Sequence, residues 1–189
     1  MRLVCYVLLI LVISESRAQE KKNEKETPIK LKNVPEYILK CLEPYTSNKT
    51  QYYRERDGEK KSYEIKFKYL NRKYSVEFDD SLKLEDVEIE ISEEKIDENA
   101  MKRIKKHLST FEKFKFQKIQ LQISSNDAPD QEVIKKAITN QIGDIINYEI
   151  EIGIKEKGEW SFFEMTFSQS GEFLFQREII ERSSNNILY

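Results

Sequence analysis

Three stretches of the chain alternate strictly between apolar and polar residues. Tyr63, Ile65, Phe67 and Tyr69 alternate with Glu64, Lys66 and Lys68. Tyr74, Val76 and Phe78 alternate with Lys73, Ser75 and Glu77. Val87, Ile89 and Ile91 alternate with Asp86, Glu88 and Glu90. A period of two puts every second side chain on one face of a strand. Three such runs joined by short turns predict an antiparallel meander with one face buried and one in water. On this reading Glu64, Lys66, Lys68, Glu77, Glu88 and Glu90 form a solvated face.

Other periods place helices around the strands. Val34, Ile38, Cys41, Leu42 and Tyr45 share one helical face, which predicts a helix over 34–45 with Pro35 in its first turn. A short extended piece lies around Gln51–Arg56, and Asp57-Gly58 reads as a turn. Asp97 is placed to cap a helix through Phe111, with Ala100, Ile104, Leu108 and Phe111 on one side. Ile119, Leu121 and Ile123 suit a strand. Pro129 opens a further helix carrying Val133, Ile134, Ala137 and Ile138. Three more strands follow, around Tyr148–Ile154, Phe162–Phe167 and Phe173–Ile180.

The order then reads as an internal repeat. Tyr63-Glu64-Ile65 answers Tyr148-Glu149-Ile150. Phe78, Ser81, Leu84 and Ile91 answer Phe167, Ser170, Phe173 and Ile180. The expected fold class is α+β: two tandem copies of a helix plus an antiparallel meander, with helices on one face of the sheets. The first copy spans 34–92. The second spans 93–189 and carries the extra helix.

The front of the chain reads as an address. Met1-Arg2 precedes an apolar run from Leu3 to Ile13, and Ser16-Arg17-Ala18 offers small residues at a cleavage point. That layout predicts a signal peptide over 1–18, cut after Ala18, and a periplasmic or secreted protein with no remaining membrane span. Residues 19–33 are charged without an apolar period and read as a flexible leader. Cleavage removes Cys5 and leaves Cys41 as a lone thiol, read as a small buried hydrophobe.

Composition narrows the function. Lys+Arg is 32 and Asp+Glu is 34, a net charge of -2, so no basic field draws nucleic acid. The single histidine, His107, excludes His-cluster metal sites and is expected to be an exposed helix residue. The acidic residues Asp79-Asp80 and Glu85–Glu94 lack the spacing of a calcium loop and read as a solvated strand face. No cofactor motif and no metal site is expected.

Tyr74–Glu90 (YSVEFDDSLKLEDVEIE), Phe114–Gln122 (FKFQKIQLQ) and Phe163–Arg177 (FEMTFSQSGEFLFQR) resemble PepSY-like proteins of the β-lactamase-inhibitor-like (BLIP-like) group, small exported proteins of the Bacteroidetes. The resemblance covers residues 34–189. Leu82 stands where glycine is usual, and Gly171 holds the equivalent place later in the chain. The resemblance implies no catalytic motif. It implies instead a module that clasps a protein with a concave sheet, the partner being an exported hydrolase or an envelope component.

Four aromatic residues are candidates for partner binding. Alternation sets Trp160 and Phe162 opposite Phe163, Met165 and Phe167, while Phe173 and Phe175 are expected to share a face with each other. Exposed aromatic side chains are typical interface anchors. Two other readings stay open. One is a small-ligand sensor or carrier with a pocket between sheet and helices. The other is a carboxylate-based hydrolase using Glu164 with Glu149 or Glu151. Asn48-Lys49-Thr50 fits a glycosylation sequon, and Asp80-Ser81-Leu82 resembles a bacterial O-glycosylation acceptor.

Overall fold

A computed structural model describes residues 20–139 and 145–180. The expected signal peptide lies outside the described residues. Ten strands run in chain order: β1 (Glu20–Lys22), β2 (Glu24–Pro28), β3 (Gln51–Asp57), β4 (Lys60–Tyr69), β5 (Arg72–Asp79), β6 (Leu84–Glu90), β7 (Lys113–Ser124), β8 (Ile145–Glu156), β9 (Glu159–Ser168) and β10 (Phe173–Ile179). Three helices accompany them: α1 (Glu36–Leu42), α2 (Glu98–Leu108) and α3 (Asp130–Ile138). Among the described residues no helix is long and apolar enough to cross a membrane.

The alternation places the meander strands where the sequence puts them. Ile65 pairs with Val76, and Val76 with Val87. Helix α2 begins where its cap requires, with Asp97 Oδ1 accepting from the amides of Asn99 and Ala100 at 2.9 and 3.0 Å. The turn before β10 needs Gly171, whose φ is +83°, because a Cβ there would lie 2.3 Å from the Ala100 carbonyl oxygen. Leu82 takes φ 67° in the corresponding turn without that help and packs part of its side chain on the core.

The expected pair of tandem helix-plus-meander units is not what forms. All ten strands belong to one sheet, in the order β1-β10-β9-β8-β7-β6-β5-β4-β3-β2. Strand β6 pairs directly with β7 across the supposed boundary at 92/93. Helix α3, expected to belong to the second copy, packs with α1 on the apolar residues of β4–β6. Helix α2 covers β8 and β9 through Ala100, Ile104 and Leu108. The protein is mostly β, with the three short helices on the outside of a continuous sheet.

The two ends of that sheet come together. Strand β1 pairs parallel with β10 at one edge, and β2 pairs with β3 at the other. Only Asn23 separates β1 from β2, so the edges are held a few ångströms apart and the sheet is a nearly closed barrel. Residues 20–28, expected to be mobile leader, are therefore its seam. Asn23 itself donates its amide to Asp57 Oδ1 at 3.1 Å.

Candidate functional site

Closure overturns the reading of the charged face. The helices cover the apolar side of the sheet, so the charged side faces inward. Glu64, Glu88, Glu149 and Glu164 are buried, Glu164 at 1% exposure. A cavity of about 370 Å³ opens on this side, and strands β1 to β8 together with β10 all contribute to its lining. Only a curled sheet brings so many strands to one hollow.

Burying this many charges demands partners. Glu164 receives two cations. Lys22 reaches it from β1, and Arg177 reaches it from β10 with Nη2 to Oε1 at 2.6 Å. Arg177 also donates through Nη1 to Asp57 Oδ2 on β3, at 2.6 Å. One network thus ties β9, β10, β1 and β3 across the seam. Burial alone would raise the Glu164 pKa, but Lys22 and Arg177 hold it below the usual carboxylate value.

Around this cavity carboxyls outnumber cations. Burial, with a hydrogen bond shared with Glu24, pushes Glu55 up to about 10, while Glu24 is held at about 2 by Glu55 and Lys22. Two close carboxyls cannot both ionise cheaply, so they divide one proton. Burial, then neighbouring carboxylates, also push Glu77, Asp86 and Glu149 well above the ordinary range. Amides take the place of cations: Gln120 donates to Glu88, and Gln122 Nε2 donates to Asp86 Oδ2 at 3.0 Å. The oxygens of Glu55, Glu64 and Glu77 lie within 4.8 Å of one another, as do those of Glu77, Asp86 and Glu88. Such all-oxygen groupings suit hard cations in kind. The sequence reading missed this cluster because strand alternation reports which residues share a face, not which face the fold encloses.

The four aromatic candidates divide between the two faces. Phe162 pairs with Gly153, and both Trp160 and Phe162 lie on the charged side with Glu164. Their rings occupy the space over Gly153, where a Cβ would meet Phe162 at 3.2 Å and Trp160 at 3.3 Å. Trp160 is still 47% exposed. A bulge between Phe173 and Phe175 breaks the alternation of β10. Phe175 consequently faces the cavity, 48% exposed, beside Arg177. Phe173 turns to the helix side and stacks on His107 with ring centroids 4.3 Å apart. The expectation that Phe173 and Phe175 share a face is thus corrected. His107 is half-buried rather than exposed, and burial lowers its pKa.

The remaining candidates have structural placements. Cys41 is buried on the core-facing side of α1, and burial raises its thiol pKa. Glu164 pairs in register with Glu151, but its carboxylate is committed to two cations. A general acid needs a raised pKa, which Glu149 has and Glu164 does not. Ser81 is exposed in the β5–β6 turn, where Asp79 Oδ1 accepts from its amide at 2.8 Å and its hydroxyl at 2.7 Å. At the other end of the charged face a hollow of about 510 Å³ is lined by Lys66, Lys68, Lys73 and Lys118. Neither hollow is the apolar pocket that a carrier of small hydrophobic ligands requires.

No protein-family profile and no curated protein matches the chain. Among solved structures it is similar to the crystal structure of a BLIP-like protein from Bacteroides fragilis, at 12% sequence identity and a TM-score of 0.47, covering 80% of this chain and 92% of that chain.

Proposed function

We propose that this protein is a non-catalytic module that binds another protein through the side of its curled sheet opposite the described helices. The observation that carries this reading is the set of aromatic side chains on that side. Trp160 and Phe175 are each about half exposed, and Phe162 lies between Trp160 and Glu164. Large apolar rings amid charged residues, with none of the described helices laid over them, match the composition of interface anchors ringed by a polar rim. The charges around them set orientation and discriminate between partners. The front of the sequence supports export to the periplasm or beyond. An exported hydrolase or envelope component is accordingly the class of partner proposed.

Affinity capture tests the reading. Immobilised protein is exposed to an envelope extract of the source cell, beside a Trp160→Ala/Phe162→Ala variant shown by circular dichroism to be folded. One protein retained by the wild type should bind the variant at least thirtyfold more weakly, since one hot-spot aromatic is worth about 2 kcal/mol or more. Equal retention by both would remove these residues from the interface.

A further inference from the structure

We propose that the acidic cavity of the barrel seats a lysine or arginine side chain presented by the partner protein. This rests on the protein-binding reading and specifies what the partner must bring. Seven carboxyl groups line the cavity against three cations. The three cations are already engaged: Lys22 with Glu24 and Glu164, Arg177 with Asp57 and Glu164, and Lys60 with Glu85. Among the described residues, Glu55, Glu77, Asp86, Glu88 and Glu149 have no cation at ion-pair distance. The cavity is therefore built with more carboxyl groups than cations, and a cation entering it would let the surplus carboxyls give up their protons and ionise beside it.

Two further oxygens point the same way. Thr166 is 1% exposed, and its Oγ1 has no hydrogen-bond partner. The register sets Thr166 between Glu149 on β8 and Phe175 on β10, both of which line the cavity. Asp86 Oδ1, also in the lining, is likewise buried and unpartnered. Both are oxygens able to accept a hydrogen bond. Each of these oxygens needs a donor, and the surplus of carboxyl groups in the lining favours a donor that is also positive, as an ammonium or a guanidinium is with its three or five N–H groups. Phe175 at the rim adds what a bare metal ion would not use: an apolar ring against which a methylene stem packs and over which a cation sits favourably. A hollow of about 370 Å³ is of a size that takes such a group.

Calorimetric titration of the full chain provides the test, with N-acetyl-arginine methylamide as probe and the uncharged citrulline analogue as control. The arginine probe is expected to bind at least tenfold more tightly than citrulline. An Asp86→Asn/Glu149→Gln variant keeps the shape of the cavity and should lose at least tenfold in affinity, with its fold checked by thermal melting. Thr166→Val keeps every carboxylate and should weaken the probe several-fold, which separates the site from general acidity. Equal binding of citrulline, or an unchanged Asp86→Asn/Glu149→Gln variant, overturns the proposal. So does calcium chloride that saturates the site and displaces the probe, which would make it a metal site. If capture succeeds and depends on Trp160 and Phe162 while the probe fails to bind, the protein-binding reading survives and this inference falls. If the probe binds but capture retains nothing, the cavity holds a cation without a protein to supply it, and the assigned source is wrong.

Discussion

Glu164→Gln is expected to destabilise the protein by about 3–5 kcal/mol in urea denaturation, the range for breaking a buried ion pair from one side. The substitution barely changes shape, so the loss reports charge. Glu164 is 1% exposed, and its removal strands Lys22 and Arg177, whose side chains are only 15% and 22% exposed. Both would be left with part of their charge uncompensated inside the barrel. A total stability of roughly 5–15 kcal/mol makes this a large fraction. The damage should also be local first, because Lys22 belongs to the three-residue strand β1, which has little else to hold it. Amide protection across 20–28 is expected to fall before that of β4–β6. The pH dependence follows from the lowered pKa of Glu164: its stabilisation is present above the unfolded carboxyl pKa and is lost as pH falls through the lower folded value. A loss under about 1 kcal/mol, or uniform loss of protection, would show that the seam is held by backbone pairing and not by this network.

The strands were readable because their cause is local. Tyr63, Ile65 and Phe67 against Glu64 and Lys66 specify a pleated strand with two unlike faces whatever the rest of the chain does. Helix α2 was readable for the same reason, through Asp97 and the spacing of Ala100, Ile104 and Leu108. The enclosure of the charged face has no such local cause. It depends on Lys22 meeting Glu164, 142 positions away, and on Arg177 meeting Asp57, 120 positions away. Glu24, Lys25 and Glu26 carry no apolar residue between them, so nothing in the segment itself announces a strand. It becomes one because β3 and β10 each offer an open edge on which to pair. Repetition in the sequence was also a poor guide to domains, since recurring strands add to one sheet as readily as they build two. The bulge in β10 is subtler still: one irregular residue sends Phe173 to His107 and Phe175 to the cavity.

A barrel filled with carboxyls should be more stable in mild acid than at neutral pH. Glu55 titrates at about 10 in the folded protein, and Glu77, Asp86 and Glu149 are all raised as well. The unfolded chain releases these protons near pH 4.3. A raised carboxyl pKa contributes stability that is fully present below the unfolded value and is lost as pH rises toward the folded one. Glu24 and Glu164, held low, act in the other direction and matter only below about pH 4. The maximum should therefore lie near pH 4.5–5. Each proton held only by the folded state costs about 1.4 kcal/mol per pH unit, so one carboxyl kept protonated across three units gives a loss of about 4 kcal/mol from pH 5 to pH 8. Glu55→Gln isolates the cause. Its amide can still donate to Glu24 as the protonated Glu55 does, while it has no proton to lose. The variant should match the wild type at pH 5, exceed it by several kcal/mol at pH 8, and show a flatter profile between. A wild type that gains stability from pH 5 to pH 8, or a Glu55→Gln variant that keeps the full slope, would mean that the shared proton between Glu24 and Glu55 does not govern the barrel's stability.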